Sequence, residues 1–165
     1  MKNVHEEFMR KAIALSEQNM ETYEGGPFGA VIVKDGKIIA QAANTAYKDQ
    51  DPTAHAEVNA IRAACKKLKQ ADLKGATLYT SGEPCPMCMS AIYWAHIGEV
   101  YYGNSKAEGS WAGFDDDFIY KELAKPLDKR ELKFQRVLPS ESLKAFETWV
   151  SFPEEKKDKI RHGNM

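Results

Sequence analysis

The chain has 165 residues, 43% of them apolar, with 23 basic against 24 acidic side chains and a formal net charge of -1. This size suits one domain, taken as 1–165, with a core between packed layers. A sequence pI of about 6.4 supplies no global positive field for phosphate backbones, so small neutral substrates are expected and nucleic acid is not. Three cysteines are too few and too odd for a disulfide scaffold, and the charged N-terminus is no signal core. No window approaches the ~20 apolar residues of a membrane span, so a cytoplasmic protein away from membranes is expected.

Phe8, Met9, Ala12, Ile13 and Leu15 recur at helical spacing between Glu6 and Gln18, which predicts an amphipathic helix ended before Gly25-Gly26-Pro27. Asp35-Gly36 between Ala30–Val33 and Ile38–Ala40 predicts a tight hairpin. After Asp51-Pro52, Thr53 is placed to cap a helix carrying Val58, Ile61, Cys65 and Leu68 on its apolar side. Ala76–Thr80, Pro86–Ala95 and Val100–Tyr102 read as strand, helix and strand in a parallel crossover. An acidic loop at Asp115-Asp116-Asp117 leads into a short helix. A further strand is expected at Phe134–Leu138, a helix over Ser140–Phe152, and a charged tail at 153–165 as a frayed end or lid.

Cys85 and Cys88 are three residues apart at the predicted strand-to-helix junction, so one helical turn brings both thiols to one face. The helix N-terminus favours the thiolates a metal needs, and His55, near the start of its own helix, completes three ligands. A closed structural site requires a fourth. Cys65 is ten residues beyond His55 and His96 eight beyond Cys88, about 15 Å and 12 Å away at ~1.5 Å per helical residue. His5 and His162 lie in terminal segments. The site therefore reads as open, with one zinc ion per chain. Two rivals stand beside it: a structural zinc module, and a dithiol redox pair at Cys85-Pro86-Met87-Cys88. The redox reading leaves His55-Ala56-Glu57 unexplained. Glu57, spared from ligation, can carry a proton from an activated water to a substrate.

His55-Ala56-Glu57 followed by Pro84-Cys85-Pro86-Met87-Cys88 resembles the signature of the zinc-dependent cytidine deaminase superfamily. Gly26-Pro27-Phe28-Gly29-Ala30, Asp51–Glu57, Ala91–Ala95 and Ala112–Asp116 are similar to its bacterial guanine deaminase branch, over about residues 5–152. The resemblance implies a three-layer α/β/α fold with a five-stranded mixed sheet and a homodimer, with a C-terminal segment exchanged in some members. It implies hydrolysis of guanine to xanthine and ammonia, with zinc-activated water adding to the carbon that bears the exocyclic amine. Glu57 and Asp116 would be catalytic. By matched position Asn44 would hydrogen-bond the base edge, Phe28 would stack on it, and the Ala56 N–H would meet it.

Guanine offers adjacent ring N–H and amine donors that suit an acceptor-only carboxylate, a physical reason to want Asp116. Asp115-Asp116-Asp117 could equally cap the next helix, Asn44 serve as a turn residue and Phe28 anchor the core. Phe114 and Trp111 flank the acidic loop and are pocket candidates. Trp94 is carried as a substrate-binding candidate, although aromatics on that helix are more often core. No aromatic follows Phe152 to close the pocket. Other aminopurines or pterins, cytosine or cytidine, and transfer RNA adenosine stay open as substrates.

Overall fold

A computed structural model describes residues 4–161. They fall into two compact units divided after Asp116, each described by itself. The first contains a four-stranded sheet in the order β2-β1-β3-β4, built from β1 (Gly29–Lys34), β2 (Lys37–Ala43), β3 (Ala76–Gly82) and β4 (Glu99–Asn104). β1 runs antiparallel to β2 and β3, while β3 and β4 are parallel, so the sheet is mixed. Asp35 and Gly36 both take positive φ (51° and 71°), the left-handed pair that a two-residue hairpin twisting with its strands requires.

Helix α1 (Val4–Thr22) covers one face of this sheet. Its Phe8 and Ala12 pack with Val31, Val33 and Tyr79. Gly29 permits the approach: a Cβ there would stand 2.3 Å from the Ala12 carbonyl oxygen, which backbone cannot yield. The other face meets α2 (Ala56–Leu68) and α3 (Pro86–Trp94) through the larger core, centred on Ile32, Leu78, Leu73 and Ile92. Burying each such side chain stabilises the fold by about 1.5–3 kcal/mol before chain entropy is counted. Sheet and helices thus form three α/β/α layers. Helix α3 is the crossover between the parallel β3 and β4, after which a short α4 (Lys106–Trp111) starts at a capping box between Ser105 and Glu108.

The second unit is helical, with α5 (Asp117–Ala124), a 3-10 turn at Leu127–Lys129, α6 (Pro139–Ser151) and α7 (Glu154–Arg161). The expected fifth strand at 134–138 is corrected. These residues are exposed, Leu138 turns into the left-handed region at φ 49°, none joins a ladder, and the described sheet has four strands. Alternating polarity describes a strand's faces without providing an edge to pair with. A second correction concerns α2. Its N-cap is His55 and not Thr53; Thr53 donates both N–H and hydroxyl to Asp51 Oδ1, at 2.8 and 2.7 Å. The charged tail is helical through Arg161.

Candidate metal centre and active site

Two helix N-termini converge on this site. His55 and Cys85 are the N-caps of α2 and α3, in extended conformation, and neither side chain caps its own helix. Both are freed to point at one another. Pro86 at the first position of α3 has no N–H to leave unsatisfied and fixes the turn that brings Cys88 beside Cys85.

His55 Nδ1 lies 3.5 Å from Cys85 Sγ and 3.5 Å from Cys88 Sγ. All three ligand atoms fall within 4.8 Å of one another, and no fourth joins them among the described residues. With Zn–N of ~2.0–2.1 Å and Zn–S of ~2.3 Å in a tetrahedral shell, nitrogen and sulfur stand about 3.5 Å apart. The trio therefore fits zinc with one position left for a non-protein ligand. Cys65 is engaged with the Ala71 carbonyl, His96 pairs with Asp72 at 3.3 Å, and His5 Nδ1 lies 2.9 Å from the Tyr79 hydroxyl. His162 lies outside the described residues.

The thiols titrate as a coupled pair. A hydrogen bond from Cys88, then one with His55, holds Cys85 down at about 4, whereas the bond to Cys85 and burial push Cys88 up. One thiolate forms readily and the second resists, as expected where a second negative charge would form beside the first. His55 is raised, chiefly by its hydrogen bond with Cys85.

Glu57 sits one residue inside α2, only 4% exposed. Its Oε2 accepts from Cys88 Sγ at 3.4 Å and its Oε1 from Thr80 Oγ1 at 3.3 Å. Burial pushes its carboxyl above the usual range. Thr80 was missed in the sequence, although it could have been found. It continues the inward parity of Ala76 and Leu78 on β3, where a hydroxyl in an apolar row needs a buried partner.

Asn44 is buried, and its Oδ1 accepts from the Ala46 N–H at 3.0 Å, which leaves its Nδ2 hydrogens for a ligand. Asn59, on α2, holds the same segment through Ala43 O, Thr45 Oγ1 and Ala54 O. Ala56 is fully buried at the first position of α2, where a helix N–H has no intrahelical acceptor. Phe28 meets Phe114 edge-on, with ring centroids 5.0 Å apart, and rests where a Cβ of Gly26 or Gly82 would reach it.

Asp116 is half-buried and Asp115 exposed, while Asp117 opens α5 and pairs with Lys121. Burial, countered by Lys106 and reinforced by Cys85, raises the Asp116 carboxyl. Trp94 is not part of this gathering; it ends α3 at 84% exposure, and Trp111 is 89% exposed.

A fold and site of this kind define a class. The family model for the cytidine and deoxycytidylate deaminase zinc-binding region matches residues 2–104, and the chain belongs to that family. Guanine deaminase of Bacillus subtilis strain 168 is 49% identical over 152 residues, 92% of this chain and 97% of that protein. The X-ray structure of guanine deaminase from Bacillus subtilis superposes with a TM-score of 0.87 at 50% identity, covering 90% of this chain and 95% of the other. The tRNA-specific adenosine deaminase of the same strain is 41% identical over 106 residues, 64% of this chain and 65% of that enzyme.

Proposed function

We propose that the protein hydrolyses guanine to xanthine and ammonia, using one zinc ion per chain held by His55, Cys85 and Cys88. The observation that carries this reading is the three-ligand group with the Glu57 carboxylate against one of its sulfurs. Zinc, when bound, supplies Lewis-acid activation that brings the pKa of water from ~15.7 to about 7. Glu57 takes the water proton and delivers it to a ring nitrogen as a C–O bond forms at the amine-bearing carbon. It then carries the second water proton, now on the hydroxyl of the adduct, to the amine; the C–N bond breaks as the C=O bond of xanthine forms, and ammonia leaves. Burial favours this shuttle, because it raises the carboxyl above its ordinary range and so makes it a stronger proton acceptor.

Asn44 Nδ2 would donate to an acceptor on the base edge, the Ala56 N–H would meet the substrate, and Phe28, braced by Phe114, would cover one face of the ring. Asp116 would accept from guanine's adjacent donors and assist proton transfer to the amine. Trp94, 84% exposed at the end of α3, is left out of this arrangement. The 49% identity over nearly the whole guanine deaminase relative favours guanine over transfer RNA adenosine.

We further propose a homodimer with an exchanged C-terminal segment. Phe134, Val137, Phe146 and Val150 in the second unit, and Tyr93 and Trp94 in the first, are more than half exposed, an apolar surplus that a partner would cover. No described helix is long and apolar enough to cross a membrane, and the free thiols suit a reducing, cytoplasmic setting.

Ammonia release from guanine, cytosine, cytidine and adenine, measured on zinc-loaded protein, tests the substrate. Guanine is expected to turn over fastest, with Asp116→Asn losing guanine activity selectively. Cytidine turnover without guanine turnover would overturn the substrate while leaving the chemistry.

A further inference from the structure

Position 19 continues the buried stripe of α1 through Phe8, Ala12 and Leu15, where packing alone would select an apolar side chain. It carries asparagine instead, a mediocre helix former, and Asn19 is only 2% exposed. A buried amide at such a place must spend its hydrogens on something. Asn19 Nδ2 donates to Gly26 O at 2.7 Å and to Asn44 O at 2.9 Å. One amide therefore ties together the two segments that carry Phe28 and Asn44.

These segments already run side by side. The Asn44 N–H donates to Phe28 O at 3.0 Å, extending the β1–β2 ladder by one bond. Beyond that bond they close to backbone contact: a Cβ on Gly25 would stand 2.3 Å from Asn44 Oδ1 and 2.4 Å from Asn44 O. Past that bond each is a connecting segment outside the ladder, and connecting segments move unless they are tied down. Asn19 anchors both to α1, which is packed on the sheet through Phe8 and Ala12.

We infer that Asn19 is a positioning residue for nucleobase binding: it sets the spacing between the ring face of Phe28 and the amide donors of Asn44. This rests on the assignment of those two residues to the substrate. It touches neither the metal group nor Glu57. Losing the tie weakens capture of the base, whereas the proton transfer that follows uses Glu57 and Asp116, to which Asn19 makes no hydrogen bond, and is left in place.

The test compares Asn19→Ala and Asn19→Ser with the parent and with Asn44→Ala, in KM and kcat for guanine, zinc content and melting temperature. Both Asn19 variants are expected to raise KM about tenfold, the cost of mispositioning a binding contact, with kcat within about twofold and zinc content unchanged. A KM at the parent's value while Asn44→Ala raises its own would overturn the inference and leave the Asn44 assignment standing. An unchanged KM in Asn44→Ala would overturn that assignment and the inference with it. If kcat falls together with zinc content or melting temperature while KM holds, or if both Asn19 variants fail to fold, the amide serves the core alone and the inference is overturned. Should only Asn19→Ala fail, Asn19→Ser, which keeps one donor, decides the question.

Discussion

In the proposed reaction Glu57 carries two demands that conflict in an ordinary protein: a carboxylate is needed for proton transfer, and its place is buried. The Thr80 hydroxyl, the Cys88 sulfur and the N-terminus of α2 make that burial tolerable. Glu57→Gln keeps the shape and removes the exchangeable proton. Its kcat for guanine is expected to fall by roughly 10²–10⁴, with zinc content unchanged because Glu57 is no ligand. Turnover at the parent's rate in a zinc-replete Glu57→Gln protein would refute the proton-shuttle role. At this scale the sequence was most readable in the ligands, since spacing along a helix and the chemistry of His and Cys are local properties. Thr80 and Asn19 were less so, because each matters for what faces it across the core, at separations of 23 and 25 residues to Glu57 and Asn44.

At the scale of elements, the hairpin at Asp35-Gly36 and the crossover from β3 through α3 to β4 were legible because turn chemistry and hydrophobic period both report locally. Two elements were not. A strand at 134–138 needed a neighbour that no local pattern encodes, and the cap of α2 moved from Thr53 to His55 because Asp51 captures both Thr53 donors. That capture fixes the approach to His55 and has a pH dependence of definite sign. The Thr53 hydroxyl first, then its N–H and Arg62, hold the Asp51 carboxyl below its ordinary 3.8. A carboxyl with a depressed folded pKa stabilises the protein above its unfolded pKa, and that contribution is lost as pH falls through the folded value. Asp51→Ala is therefore expected to melt below the parent near neutral pH, with the gap closing as pH falls below about 4. Thermal melts across that range check it, and a gap of the same size in acid would count against the tie.

At the scale of the molecule, three layers bring two helix N-termini to one place beside β3, and the chemistry follows from that convergence. Each N-terminus places a candidate ligand at its cap and positive potential toward the thiols. The layers were foreseeable from the alternation of elements; the surplus of exposed apolar residues in the second unit was not, because composition does not reveal which apolar residues find a partner. The central claim is that guanine hydrolysis depends on zinc in the His55, Cys85 and Cys88 site. It is tested most directly by stripping the protein with a chelator and titrating zinc back while following xanthine formation. The expected result is turnover that is absent in the stripped protein, rises in proportion to bound zinc and saturates at one ion per chain. Undiminished turnover in the metal-free protein, or one zinc per chain with no xanthine formed, would contradict it.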